Sequence, residues 1–315
     1  MTANNLTLQD QIEAAPPGGL ILCGPAGIGK AAFAREIAAR LLGCAPDFAH
    51  PDLHIVRAAE DKKAIDVEQV RDACQRIRLA PADGGHRVML VPQADTMTVN
   101  AANALLKTLE EPPARATVIL TVDAVGRLPA TIRSRCRLER VAAPARDAAL
   151  AQLRETCPDL SVEEGRGLLE LAQGRAGLAA DYAAAGGIEL YLDICRAAKP
   201  LIRPGGRVDR PLLIALTQRA GKSWPTAVNL IERLAARLSE TLACGEPPAA
   251  AMEGEDKFLQ AIARHARLSA SVSAWTDVRR LGEEAEVRNL DGRTTLDRAL
   301  RALDALAATP AEQAG

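Results

Sequence analysis

Residues 20–43 read Leu-Ile-Leu-Cys-Gly-Pro-Ala-Gly-Ile-Gly-Lys-Ala-Ala-Phe-Ala-Arg-Glu-Ile-Ala-Ala-Arg-Leu-Leu-Gly, and this stretch decides the fold. Leu20 to Cys23 is a short apolar run without alternation, a glycine-rich turn follows, and Phe33, Ile37 and Leu41 then recur at helical spacing. The order is strand, loop, helix. Gly24 to Lys30 fits the pattern G-x-x-x-x-G-K, with a further glycine at Gly27. Such glycines let backbone N–H groups curl round phosphate oxygens, the next helix presents its positive end, and Lys30 can reach the outer phosphates. The pattern then asks for Ser or Thr, whose hydroxyl would hold Mg²⁺. Ala31 stands there and offers only a methyl group.

The alternation continues downstream. Leu53 to Val56 reads as a second strand, Val67, Val70, Cys74 and Ile77 share one helical face over 67–79, and Val88 to Val91 makes a third strand. A helix over 100–111 ends at Pro112 and Pro113, Thr117 to Val122 is a fourth strand, and 138–141 supplies a fifth. Apolar strands separated by helices imply a parallel sheet covered on both faces. A hydrolytic site wants an acid at the end of the third strand, but Pro92 and Gln93 follow it. Asp95 comes three residues after Pro92, about 10 Å along an extended chain, so it reads as a solvated or capping residue. Loss of both metal-side groups argues against self-sufficient hydrolysis and leaves nucleotide binding open. Beyond Pro144 the periodicity is helical: three short helices over 146–186, a Pro/Gly cluster at 199–211, and amphipathic helices over 211–243, 255–285 and 294–308.

Composition narrows the function classes. The 315 residues hold 39 Lys+Arg against 40 Asp+Glu, and residues 1–142 alone hold 17 basic and 16 acidic side chains. No whole-chain field favours nucleic acid or an anionic membrane. No run approaches the roughly 18 apolar residues of a membrane span, so a cytoplasmic protein is expected. The seven cysteines are scattered with no C-x-x-C pair and read as small buried residues in a reducing compartment. His50, His54, His86 and His265 show no ligand spacing, and no metal site is expected. With only 2% aromatic residues, Trp224 and Trp275 read as anchors in the helical region, not as a base-stacking platform.

The last element is Thr131-Ile132-Arg133-Ser134-Arg135-Cys136. Alone, a surface arginine is ordinarily a solvated charge. Together with the phosphate loop, His50–Leu53, the stretch 67–91, and Asn-Ala-Leu-Leu-Lys-Thr-Leu-Glu-Glu-Pro-Pro at 103–113, however, it makes residues 20–142 resemble the delta-prime subunits of the bacterial DNA polymerase III clamp loader. The resemblance implies an α/β plus all-α protein: a RecA-like AAA+ module (1–142), a helical lid (143–195) and a helical collar for oligomerisation (196–315). It implies a non-hydrolysing subunit that supports ATP-dependent loading of the sliding clamp, with gamma/tau and delta as partners and primed DNA reached through the complex. Carried onto this chain, Arg135 would complete a neighbour's ATP site in trans, with Ser134 and Cys136 at that interface. Gly24, Gly27, Gly29 and Lys30 become a degenerate loop that needs no cofactor and can accept ATP or ADP.

Two departures matter. Many relatives carry a four-cysteine zinc module after the first helix, whereas this chain has only Cys44 there, so no zinc is expected. Arg175 stands near the place of a lid arginine that senses nucleotide, but the surrounding match is loose and it reads as a surface residue. Thr121 lies where active relatives carry a polar sensor, yet a β-branched strand residue needs no special reason. Lys107, Glu110 and Glu111 read as a solvated helix end or a partner-facing surface. Two other readings stay open: a gamma/tau-type ATPase with its own weak hydrolysis, and direct phosphate contact through Arg133, Arg135 and Arg137.

Overall fold

The computed structural model describes residues 3–46, 49–59, 62, 64–81, 85–288 and 290–307. These form two compact units, 1–148 and 149–315.

The first unit runs α1 (Ala3–Ala14), β1 (Gly19–Cys23), α2 (Lys30–Leu42), β2 (Leu53–Ile55), α3 (Val67–Ile77), β3 (Arg87–Val91), α4 (Val99–Glu110), β4 (Ala116–Val122), α5 (Ala130–Arg133) and β5 (Arg137–Arg140). Its five strands are all parallel, in the order β2-β3-β4-β1-β5. Every residue of β1, β3 and β4 is buried, while edge strand β5 alternates, which is why the central strands carry unbroken apolar runs. One face is packed by Val70, Ile77, Leu105 and Leu109 from α3 and α4, and the other by Ile12, Phe33 and Ile37 from α1 and α2. Helix α3 begins at an Asp66 capping box, with Gln69 reaching back to the cap N–H.

The second unit begins within α6 (Arg146–Thr156) and continues as α7 (Val162–Leu171), α8 (Ala176–Ala184), α9 (Gly187–Ala198), α10 (Arg210–Ala220), α11 (Trp224–Cys244), α12 (Glu255–Ala263), α13 (Leu268–Arg288) and α14 (Gly292–Ala302). One apolar core runs from Ala149 through to Ala307. Two helices expected as continuous are broken. Gly221, with φ 47°, turns the chain between α10 and α11, and His265 Nε2 lies 2.9 Å from Leu201 O in the break after α12. Arg237 and Glu255 pair in the interior, with Nε–Oε1 at 2.6 Å and Nη2–Oε2 at 2.9 Å, and Tyr191 donates to the same carboxylate at 2.6 Å. Trp224 and Trp275 pack against this core, and Trp275 Nε1 donates to Glu232 at 3.0 Å.

Candidate functional site

The phosphate loop joins the C-terminal end of β1 to α2. Gly27 (φ 79°) and Gly29 (φ 89°) take left-handed conformations that a side chain would strain, and Ile28 between them is buried. Strand order then determines what Lys30 meets. Because β4, not β3, lies beside β1, and Cys23 pairs in register with Val122, the residue opposite Gly24 is Asp123. Lys30 Nζ donates to Asp123 Oδ1 at 2.7 Å, to Pro25 O at 2.7 Å and to Gly24 O at 2.8 Å. Its side chain is 7% exposed. The ammonium's three donors are thus all engaged by its own chain. The glycine loop and helix N-terminus fit a phosphate group, but Ala31 supplies no metal ligand and Asp123 already neutralises Lys30.

Asp123 follows the fourth strand, not the third, and is not among the residues that the sequence pattern singles out. The available signal was an acid directly after the apolar run Thr117–Val122. Asp95 is a correction of the opposite kind. It is not solvated: its side chain is 4% exposed, sits in a single helical turn after β3, and lies 3.7 Å from the Arg127 guanidinium. Thr121 Oγ1 accepts from Gln93 N at 3.1 Å, which ties the end of β4 to the turn after β3.

Arg135 occupies the other end of the sheet. Helix α5 runs into the turn at Ser134–Cys136, and β5 follows with Arg137 in register with Leu20, so the turn lies beside the start of β1. Close packing holds it there. A Cβ at Gly19 would lie 2.8 Å from Cys136 Sγ and 2.9 Å from Leu109 Cδ2, and one at Gly18 would lie 2.6 Å from Pro112 Cγ. Only glycines let the end of α4, its prolines and the arginine turn converge on β1. Burial pushes the Cys136 thiol up to about 12, which makes it an unreactive anchor. Arg135 Nη1 donates to Thr131 O at 2.9 Å and to Ser134 Oγ at 3.2 Å, while Nη2 pairs with Glu110 Oε1 at 2.7 Å. The Arg135 side chain is 34% exposed. Glu110 is therefore a partner of Arg135 and not merely a solvated helix end.

The remaining candidates are dispersed. Arg133 is exposed, whereas Arg137 is held by Glu139 at 2.7 Å and by Gln11 at 3.2 Å, so the three arginines do not form one free patch. Arg175 Nε donates to Ala172 O at 2.8 Å, within the turn preceding α8. Among the described residues, no group of three or more His, Cys, Asp or Glu is placed to hold a metal ion, and no helix is long and apolar enough to cross a membrane.

A five-stranded parallel sheet with a glycine-rich phosphate loop after β1, followed by a helical C-terminal unit, defines a RecA-like AAA+ protein. The fold is similar over 96% of this chain, and 98% of the other, to a gamma subunit-related DNA polymerase III protein of Thermotoga maritima, with a TM-score of 0.52 and 20% identity. Residues 6–144 match the family described as "DNA polymerase III, delta subunit". The DNA polymerase III subunit delta' of Pseudomonas aeruginosa is 35% identical over 219 residues, which are 61% of this chain and 67% of that one. Its counterpart in Escherichia coli is 37% identical over 130 residues, covering 41% of this chain and 39% of that one. The chain belongs to the delta-prime family of DNA polymerase III clamp-loader subunits.

Proposed function

We propose that this chain serves the clamp loader as a non-hydrolysing subunit that donates Arg135 to an ATP site on a neighbouring gamma/tau subunit. The observation that carries the reading is the separation of the two cations. Lys30 follows the C-terminal end of β1 and Arg135 lies beside its N-terminal end, five strand residues or about 16 Å apart. Arg135 cannot serve its own phosphate loop. A guanidinium about a third exposed and fixed at the end of a rigid sheet can instead stabilise charge on a phosphoryl group presented by another subunit.

The chain's own loop has no metal-binding hydroxyl, Pro92 and Gln93 stand where an acid would directly follow β3, and its lysine is satisfied internally. ATP or ADP is at most a structural occupant there, and neither it nor zinc is required. In this reading residues 143–195 act as lid and 196–315 as collar, the partners are gamma/tau and delta, and the sliding clamp and primed DNA are reached through the assembled cytoplasmic complex. Ser134 and Cys136 flank the donated arginine at the subunit boundary.

The test is reconstitution of this chain with gamma/tau and delta, followed by steady-state ATP turnover. The isolated chain is expected to hydrolyse no ATP. Arg135→Ala is expected to assemble normally and to lower turnover at the neighbouring site by about 10³–10⁵, the range for a completing arginine. Unchanged turnover in that complex would refute the donation. Steady hydrolysis by the isolated chain, abolished by Lys30→Ala, would establish the gamma/tau-type alternative.

A further inference from the structure

The contact between Glu110 and Arg135 joins the last residue of α4 to the turn before β5, 25 positions later in the chain. Both side chains are partly exposed, Glu110 at 48%. A pair this open contributes little to stability, because water screens it and two long side chains must be ordered to form it. Its geometry nevertheless places the guanidinium with some care. A guanidinium has five N–H donors. Two are taken by Thr131 O and Ser134 Oγ through Nη1, and one by Glu110 Oε1 through Nη2. Nε–H and the second Nη2–H are left over. The first two contacts come from the turn itself and fix one corner of the fork. Glu110 comes from a different element and fixes the opposite corner, so together they determine the plane of the group.

The scaffold behind the pair has the same character. Leu109, next to Glu110, and Cys136, next to Arg135, both press on Gly19, and Pro112 presses on Gly18. Glu110 and Arg135 are thus carried on two segments locked to one another at the start of β1. From this we infer that Glu110 is a positioning residue: its carboxylate holds the Arg135 guanidinium oriented, with two donors free for a phosphoryl oxygen of the adjoining subunit. The inference rests on the donation of Arg135 in trans. A flexible arginine would lose conformational freedom on reaching its target, and an oriented one has lost it already.

The experiment uses the complete complex with gamma/tau and delta and compares wild type, Glu110→Ala, Glu110→Gln, Arg135→Ala and the double variant Glu110→Ala/Arg135→Ala. Glu110→Ala is expected to lower kcat for ATP about tenfold, an effect on the scale of a modest misplacement of a reacting group. KM for ATP, subunit stoichiometry and the thermal midpoint of the isolated chain are expected to stay at wild-type values. Glu110→Gln keeps an acceptor oxygen at the same reach and is expected to recover most of the rate. The double variant is expected to be no slower than Arg135→Ala alone, because Glu110 acts only through that arginine. A normal kcat in Glu110→Ala beside a slow Arg135→Ala would overturn the positioning role and leave the donation standing. A faster Glu110→Ala complex would also overturn it, since the carboxylate would then be a brake. A normal kcat in Arg135→Ala would sink the donation itself, and this inference with it.

Discussion

Lys30 and Arg135 each contact three acceptors of their own chain, yet they are disposed in opposite ways. Lys30 has three donors and three partners, is almost fully buried, and has nothing left to offer. Arg135 has five donors and three partners, is a third exposed, and keeps two in reserve. The sheet puts them at its two ends, one at a loop that has lost its metal ligand and one at a turn facing outward. The difference teaches that, in the proposed reading, a phosphate loop without hydrolysis of its own at one end of the sheet leaves the arginine turn at the other undisturbed.

The sharpest way to break this contrast is to turn Arg135 into a residue like Lys30. Arg135→Lys keeps the charge, but an ammonium engaged by Glu110, Thr131 O and Ser134 Oγ would have no donor to spare. The substitution is therefore expected to lower complex ATP turnover nearly as far as Arg135→Ala, by at least about 10²-fold. Lys30→Ala in the same assay is expected to leave turnover within about twofold if, as proposed, the loop binds no reacting nucleotide. If Arg135→Lys retained wild-type turnover, donor count would not be the relevant difference.

Next in size is the packing beneath the turn. Gly19→Ala would force a methyl group between Cys136 Sγ and Leu109 Cδ2 at the start of β1. It is expected to cost about 1–3 kcal/mol in chemical denaturation. The complex is expected to lose turnover as well, since the segments carrying Glu110 and Arg135 must part. An alanine tolerated without loss of stability would show that these segments do not bear on β1 as tightly as their separation implies.

The two ion pairs should also differ in what they do for folding. Asp123→Ala leaves a buried ammonium with only two carbonyls. Because Asp123 is itself 35% exposed, the expected loss is about 1–2 kcal/mol, below that of a fully buried pair. Glu110→Ala is expected to cost no more than about 0.5 kcal/mol. Equal losses, measured by urea unfolding of the isolated chain, would erase the distinction between an inward and an outward cation.

Much of this was legible in the residues, for identifiable reasons. The central strands are buried on both faces, so 20–23, 88–91 and 117–122 stand out as largely apolar runs without alternation, and the glycines mark the loop Gly24–Lys30. Helix α1 is not expected from the sequence; among its described side chains Leu8 and Ile12 join the core, in a stretch rich in Asn and Gln. The partners of the two cations were hidden for a different reason. Asp123 reaches Lys30 only because β4 is inserted beside β1, and strand order is not written in local periodicity. Glu110 reaches Arg135 only because Gly18 and Gly19 admit two distant segments to the same spot. Distance along the chain makes Asp95 read as a solvated or capping residue, whereas the turn after β3 folds it back against the protein. Sequence spacing measures separation along a strand, and turns are where that measure fails.

The smallest expected effect belongs to the edge that carries Arg135. His86 Nε2 lies 2.9 Å from Thr117 Oγ1, and that hydroxyl donates to Pro17 O at 2.9 Å. Since the hydroxyl proton is committed to Pro17, Thr117 accepts from the Nε2–H, and further protonation would place a charge on the other ring nitrogen. Burial, with the nearby Arg115 guanidinium in second place, holds the imidazole below its ordinary value of 6.5. Above that value the ring is neutral in folded and unfolded chains alike, and the contribution of this hydrogen-bonded chain to stability is present in full. As pH falls below 6.5 the unfolded chain takes up a proton first, so stability declines until the lowered folded value is passed. His54 is shifted in the same direction, chiefly by burial, so part of the decline belongs to it. His86→Gln, which can still donate to Thr117, should flatten but not abolish the loss of urea midpoint between pH 7.5 and 5. An unaltered pH profile in that variant would mean that the support under Pro17 and the glycine pair does not titrate.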